Sequence, residues 1–201
     1  MINLPLPAGA LFDLDGVIID SERLYSLFWD EIGEKYKMPD RPFGLAIKGM
    51  TLKLIMEMFP EEDREQLCHD IWEFEANMRF TPYPGAIEYL DYLRANNVPI
   101  ALVTSSDDKK MAKLSAQHPD LLPRFDVIID ATNVTRSKPD PQGYLLAAEA
   151  LGVDPKECYV FEDSMQGLKA GRASGAKVIG IATTYPAERI TPMCDVVVNC
   201  L

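Results

Sequence analysis

Histidine is nearly absent. His69 and His118 are the only two in 201 residues, far apart and beside acidic or loop residues. A histidine-built zinc site, or chemistry that turns on an imidazole with partners, is poorly supplied. A metal in this chain is expected to be hard and held by oxygen. Cysteine is scarce as well. Cys68, Cys158, Cys194 and Cys200 form no CxxC pair, and Cys158 falls in an apolar run that reads as an interior strand. Reduced thiols in a cytoplasmic protein are therefore expected. No apolar run reaches the ~18 residues of a membrane span. The opening Met-Ile-Asn-Leu-Pro-Leu-Pro stretch has no positive region and no long apolar segment, so no secretory leader is expected. Basic residues are outnumbered: Lys plus Arg is 20, Asp plus Glu is 31, and the net charge is -11. That balance disfavours a nucleic-acid or anionic-membrane surface, both of which need a positive footprint. There is no internal repeat and no low-complexity segment.

What is present is a globular composition, 47% apolar and 25% charged. Short continuous apolar runs recur at 9–13, 99–104, 125–129, 158–161, 176–181 and 195–198. Continuous rather than alternating runs predict strands covered on both faces. Helical stripes lie between them: Ala86, Leu90 and Leu93; then Leu145, Ala148 and Leu151, stopped at Gly152; then a helix from about Ser164 to Ser174, stopped near Gly175. Strand and helix alternate from about residue 85 onward, which predicts a Rossmann-like α/β core with a mostly parallel sheet.

Residues 17–84 break that rhythm. A helix is predicted over 21–36, with Leu24, Leu27, Phe28 and Ile32 on one side. Two more are predicted, one over 51–58 with Leu52, Ile55 and Met56, and one over 61–78 with Leu67, Ile71, Phe74 and Met78. Pro39, Pro42, Pro60, Pro82 and Pro84 punctuate them. The expected division is a core of residues 1–16 and 85–201 with a small all-helical insertion of residues 17–84 after the first strand. The incoming and outgoing segments would then lie side by side. Trp29, Trp72 and Phe74 are expected in the core of the helical bundle. The acids between Glu57 and Glu75 are expected on a solvated helix face.

The first predicted strand ends in Asp13-Leu-Asp15-Gly16. In open α/β sheets the site lies outside the carboxyl ends of the strands. Gly16 can supply an unusual backbone angle for the turn. Two carboxylates this close repel, which makes sense if a cation sits there or one of them keeps a proton. The fourth strand ends in Glu162-Asp163-Ser164. If it lies beside the first, three or four carboxylates converge on one point, a donor set for a hard divalent cation such as Mg²⁺. Taken alone, Glu162 and Asp163 would simply cap the next helix. The second strand ends in Thr104-Ser105-Ser106, either a phosphate cradle or an ordinary helix cap. Lys138, in Ser137-Lys-Pro-Asp-Pro141, is either a surface-loop lysine or a cation that holds the acids and meets an incoming phosphoryl group.

These four segments, in this order, resemble the motifs of the haloacid dehalogenase-like (HAD) superfamily, in the subgroup of β-phosphoglucomutase and phosphoglycolate phosphatase. Asp13-Leu-Asp-Gly-Val-Ile-Ile-Asp-Ser-Glu22, Ile100-Ala-Leu-Val-Thr-Ser-Ser106, Ser137-Lys-Pro-Asp-Pro141 and Val160-Phe-Glu-Asp-Ser-Met-Gln-Gly-Leu-Lys-Ala-Gly171 carry the likeness. It covers nearly the whole chain, including the helical cap. The resemblance implies that Asp13 takes the phosphoryl group as an aspartyl-phosphate. It implies that Asp15 protonates the leaving oxygen and then activates water, its backbone carbonyl also touching Mg²⁺. Thr104 and Lys138 would bind phosphoryl oxygens. Asp163 would be a direct metal ligand and Glu162 would support the metal shell.

Asp15 also implies a reaction class. The dehalogenase and phosphonatase branches lack an acid there. Within the phosphate-transferring branch, the mutase pattern has a cap arginine shortly after a Lys-Gly step, where this chain has Leu52. It has a lysine after the second-motif hydroxyls, where this chain has Asp107, and a histidine in the first cap helix, matched here by Tyr25. The expectation is thus a Mg²⁺-dependent phosphatase of a small phosphorylated metabolite, with a β-phosphoglucomutase-type mutase as the alternative. Ser105 and Ser106 are expected to touch substrate, and Tyr25, Lys48, Gly49 and Met50 to read the leaving group. A cytoplasmic monomer without nucleic-acid or membrane partners completes the expectation.

Overall fold

The computed structural model describes residues 4–47 and 52–201. Six strands form one sheet: β1 (Gly9–Phe12), β2 (Ile100–Val103), β3 (Val127–Ile129), β4 (Cys158–Glu162), β5 (Lys177–Ile181) and β6 (Val196–Val198). All pairings are parallel, and the spatial order is β3-β2-β1-β4-β5-β6. This is the doubly wound order, with the reversal of winding between β1 and β4. The expected Rossmann-like core is therefore present.

β1 is central and buried along its length. Its register pairs Leu11 with Val160 and Phe12 with Phe161. Because successive strand residues point to opposite faces, the two pairs serve different layers. Phe12 and Phe161 stack at 4.3 Å, and both meet Tyr89 edge-on. Leu11 and Val160 pack on the other side with Tyr144, Ala147 and Ala148.

The chain divides into two compact units, Met1–Asp20 with Phe80–Leu201, and Ser21–Arg79. Residues 17–20 and 80–84, expected in the insertion, group with the sheet unit instead. There, Ile18 and Ile19 are fully buried. The Asp20 N–H donates to the Thr81 carbonyl at 2.8 Å, and the Tyr83 N–H donates to the Ile18 carbonyl at 2.9 Å. The two segments run side by side as a short ribbon.

The unit of residues 21–79 contains α1 (Glu22–Lys35), α2 (Phe43–Ala46), α3 (Leu52–Glu57) and α4 (Arg64–Asn77). Its core holds Trp29, Ile32, Phe43, Ile47, Ile55, Met56, Phe59, Leu67 and Ile71. Phe43 and Phe59 meet edge-on at 5.8 Å, as do Tyr36 and Phe59 at 5.1 Å. Asp30 accepts the Gly44 N–H at 2.8 Å and so tethers the start of α2 to α1.

Three details of the helical pattern differ from expectation. Leu27 is 52% exposed, because the buried stripe of α1 runs through Trp29 and Ile32. An indole offers more apolar area than a leucine, and its burial sets the rotation of the helix. Trp72, expected inside the bundle, is 64% exposed, since Leu67 and Ile71 of α4 take the inner face. Leu52 is exposed as well, while Ile55 and Met56 of α3 are buried.

The remaining helices belong to the sheet unit: α5 (Ala86–Ala95), α6 (Asp108–Gln117), α7 (Gln142–Leu151), α8 (Met165–Ser174) and α9 (Ala187–Ile190). On α7 the buried residues are Tyr144, Ala147 and Ala148, and Leu145 is 40% exposed, so that stripe is rotated from the expected one. No helix of the described residues is long and apolar enough to cross a membrane.

Candidate active site

The carboxyl ends of β1, β2 and β4 lie side by side, and each delivers polar residues. Asp13 extends β1 by one residue, its N–H donating to the Phe161 carbonyl at 3.0 Å. Thr104 does the same for β2, donating to the Ile129 carbonyl at 2.9 Å. Glu162 is the last residue of β4 and Asp163 follows it. Asp13, Thr104, Ser106, Glu162 and Asp163 are all buried. Their floor is apolar, because Phe12 and Phe161 directly precede Asp13 and Glu162. Buried carboxylates on such a floor are costly unless each is partnered.

Lys138, from the loop between β3 and α7, supplies the main partner. Its ammonium donates to Asp13 Oδ1 at 2.5 Å, to Glu162 Oε1 at 2.7 Å and to the Val103 carbonyl at 3.1 Å. Three acceptors match the three N–H bonds of an ammonium. Burial works against the charge on Lys138, but Asp13 and Glu162 outweigh it and hold the group well above the ordinary lysine range. Burial pushes the Asp13 carboxyl up to about 7, with Lys138 opposing and Glu162 and Asp15 adding to the rise. The alternative of Lys138 as a surface-loop residue does not hold.

Glu162 is saturated. Oε1 accepts from Lys138 and from the Tyr144 hydroxyl at 2.9 Å. Oε2 accepts from the Asp163 N–H, the Ser164 N–H and the Ser164 hydroxyl, each at 3.0 Å. Little lone-pair capacity is left on this side chain. Burial, followed by the charge of Glu162, pushes the Tyr144 phenol well above its ordinary value, so it stays a donor. The helix-cap role belongs to Ser164, whose hydroxyl accepts the Gly167 N–H at 3.0 Å at the start of α8.

One oxygen each of Asp13, Glu162 and Asp163 lies within 4.8 Å of the others, a buried, all-oxygen group that suits a hard divalent cation. Two features support that fit. With Glu162 saturated, Asp13 and Asp163 are the members with ligand capacity. The local charge is also unbalanced: Asp13, Asp15, Glu162 and Asp163 face the ammonium groups of Lys138 and Lys110, an excess of two negative charges. Gly16 makes room beside Asp163. Its φ is +81°, and a Cβ there would collide with Asp163 Oδ2. The Gly16 carbonyl accepts the Thr183 hydroxyl at 2.5 Å, which ties the turn to the loop after β5.

Asp15 sits apart from that cluster. Its Oδ1 is 2.6 Å from the Lys110 ammonium, and its Oδ2 accepts the Ser106 hydroxyl at 3.1 Å. Thr104 Oγ1 accepts the Ser106 N–H at 3.1 Å. Neither residue caps the next helix: α6 is capped by Asp107, whose side chain accepts the Lys110 N–H at 2.9 Å. Ser105 is exposed. Tyr25, in the other unit, donates its hydroxyl to Glu75 at 2.9 Å. Lys48, Gly49 and Met50 lie outside the described residues.

The structure therefore gathers Asp13, Asp15, Thr104, Ser106, Lys138, Glu162 and Asp163 at one end of the sheet. It adds Lys110, Tyr144 and Thr183, which the sequence reading missed. Tyr144 had a readable signal, since it falls on the same helical face as Ala147 and Ala148. Lys110 and Thr183 had none. The arrangement holds an anionic nucleophile beside a cation, with a second acid two residues on. That is the equipment for moving an anionic group onto a carboxylate and off again.

A family model described as haloacid dehalogenase-like hydrolase matches residues 7–175. The validoxylamine A 7′-phosphate phosphatase of Streptomyces hygroscopicus subsp. limoneus is 32% identical over 189 residues, covering 90% of this chain and 88% of that protein. Hexitol phosphatase A of Escherichia coli is 32% identical over 200 residues, covering 96% of this chain and 91% of that one. Among solved structures, a HAD family hydrolase from Deinococcus radiodurans with bound phosphate and sodium is 28% identical. It aligns with a TM-score of 0.79 over 96% of this chain and 92% of its own.

Proposed function

The chain belongs to the haloacid dehalogenase-like hydrolases, and from that footing we propose that it is a Mg²⁺-dependent phosphatase of small polyol or sugar phosphates, working through an aspartyl-phosphate on Asp13. The observation that carries the reading is the Asp13 carboxylate, bound by Lys138 at 2.5 Å at the mouth of the sheet, with Asp15 two residues on. The substrate class follows two of the phosphatases to which the chain is 32% identical, one named for validoxylamine A 7′-phosphate and one for hexitols.

In the first transfer, an Asp13 oxygen forms a bond to phosphorus as the bond to the ester oxygen breaks. The leaving oxygen keeps the electron pair and takes a proton from the Asp15 carboxyl. In the second, the Asp15 carboxylate takes a proton from water, whose oxygen attacks phosphorus. The Asp13–phosphorus bond breaks, its electron pair returns to the carboxylate, and inorganic phosphate leaves. Lys138 offsets the repulsion between the Asp13 carboxylate and the phosphoryl group. Thr104, Ser105 and Ser106 offer hydroxyls and N–H groups to its oxygens.

Asp13 and Asp163 would hold the metal directly, with the Asp15 carbonyl beside them, and Glu162 would brace the site through Lys138 and Tyr144. Bound there, the divalent cation supplies Lewis-acid neutralisation of the phosphoryl charge. A cytoplasmic monomer remains part of the proposal.

The test is inorganic phosphate release from a panel of phosphorylated polyols and sugars, with Mg²⁺ or with EDTA. Release that needs Mg²⁺ and favours one polyol or sugar phosphate is the expected result. Equal turnover in EDTA would remove the metal from the mechanism. Conversion of β-glucose 1-phosphate to glucose 6-phosphate without phosphate release would make the enzyme a mutase.

A further inference from the structure

Lys110 lies outside all four motifs, yet its ammonium reaches Asp15 of the first. It stands in the first turn of α6, where Asp107 fixes its N–H. Its ammonium is 2.6 Å from Asp15 Oδ1, while the Ser106 hydroxyl is 3.1 Å from Oδ2. The Lys110 and Asp15 side chains are only 16% and 19% exposed, so solvent and salt screen the pair weakly. The same ammonium lies 5.9 Å from the centre of the Phe80 ring, close enough for a cation–π contact.

Phe80 is itself held by the far end of α6. Its N–H donates to Gln117 Oε1 at 2.9 Å, and its carbonyl is 2.6 Å from His118 Nε2. One helix thus anchors Phe80 at its last turn and Asp15 at its first. Lys110 is the side chain that meets both. Each oxygen of the Asp15 carboxyl has its own donor, which sets the plane of the group as well as its place.

We propose that Lys110 is a positioning residue for Asp15, holding the carboxyl in the orientation from which it serves the leaving oxygen. This rests on the reading of Asp15 as the proton donor. As the ester bond breaks, the proton passes from Asp15 to the departing oxygen and negative charge grows on the carboxyl. An ammonium already 2.6 Å away meets that charge without reorganisation. Lys110 would touch neither phosphorus nor the transferred proton.

The consequence depends on the leaving group. An alkyl phosphate expels a basic alkoxide and needs the proton. p-Nitrophenyl phosphate expels a stable anion and does not. kcat/KM covers the steps up to departure of the leaving group, so it isolates this transfer from the later hydrolysis.

The experiment measures kcat/KM with Mg²⁺ on sorbitol 6-phosphate and on p-nitrophenyl phosphate, for the wild type, Asp15→Asn, Lys110→Met and Lys110→Arg. Lys110→Met is expected to lose about 30-fold on the alkyl ester and less than about 3-fold on the aryl ester, a fraction of the full worth of a general acid. Lys110→Arg should restore most of the alkyl activity. Equal losses on both esters would reduce Lys110 to a structural residue and overturn the proposal. If Asp15→Asn splits the esters and Lys110→Met does not, the proposal falls while the reading of Asp15 stands. If Asp15→Asn does not split them, the reading of Asp15 fails and the proposal with it. Should Lys110→Met not fold, Lys110→Gln carries the same comparison.

Discussion

The two units of the chain treat buried polarity in opposite ways. In the sheet unit, Asp13, Thr104, Ser106, Glu162 and Asp163 are buried together at the carboxyl ends of three adjacent strands. In the unit of residues 21–79, Ser21 is the one buried polar side chain among the described residues, and aromatic rings fill the interior instead. The first unit keeps a cluster of charges that burial disfavours, and holds it with a lysine, a tyrosine and backbone N–H groups. The second, among its described residues, is held together by apolar packing. Buried charge that a fold does not need for stability is a mark of chemistry. In the second unit, Leu27, Leu45, Leu52 and Trp72 are exposed.

The sharpest way to break the contrast is to remove the nucleophile. Asp13→Asn should cost at least ~10³-fold in phosphate release, the scale of losing an essential nucleophile, while the fold survives. The same variant tests the cost of the buried charge. The Asp13 carboxyl is raised from 3.8 to about 7 by burial. A raised acid contributes stability that is full below its unfolded value and is lost as pH rises through the folded one. In EDTA, the melting temperature of the wild type should therefore fall between about pH 4 and pH 7 and level off above that. Asp13→Asn should flatten that slope. An unchanged slope would mean that Asp13 does not carry it.

Next in size is Lys138→Met. Removing one partner of a buried pair leaves the others uncompensated, at about 3–5 kcal/mol. Thermal or denaturant unfolding of metal-free protein reads it directly. Adding Glu162→Gln should recover part of the loss, because one of the two stranded acids is then neutral. No recovery would mean that Lys138 acts by packing alone.

The helical unit sharpens the comparison from its own side, with one effect of similar size and one that is the smallest of all. Trp29→Ala should cost about 3–5 kcal/mol, the usual loss for a large buried aromatic. Trp72→Ala should change stability by less than about 0.5 kcal/mol, as at an ordinary exposed position. Equal effects from the two would contradict the rotation of α1 and α4.

Much of the site was legible because an apolar run that stops abruptly at an acid sets a charge against a buried strand, which is costly without a partner. Asp13, Glu162 and Asp163 were found that way, as strand ends. Lys138 was readable only as one of two alternatives, since a loop lysine beside prolines carries no local sign of its target. Lys110 was not readable at all. On a helix rich in polar residues, a lysine in the first turn looks like any solvated lysine. Its partner is 95 residues away. The rotated stripes of α1 and α7 were missed for a related reason. Aliphatic spacing fitted two neighbouring faces nearly equally, and the burial of Trp29 and Tyr144 chose between them.

Local chemistry in the sequence by itself determined which segments become buried strands, that acids stand at their ends, and that a helical insertion follows the first strand. These follow from apolar runs, periodicity and turn residues, all of which act over a few neighbours. Only the tertiary structure decided that β4 lies against β1, that one ammonium bridges Asp13 and Glu162, and that α6 ties Asp15 to Phe80. Such contacts join residues that are distant along the chain, through strand order and helix rotation. No local pattern encodes them, because their free energy exists only once the sheet has assembled.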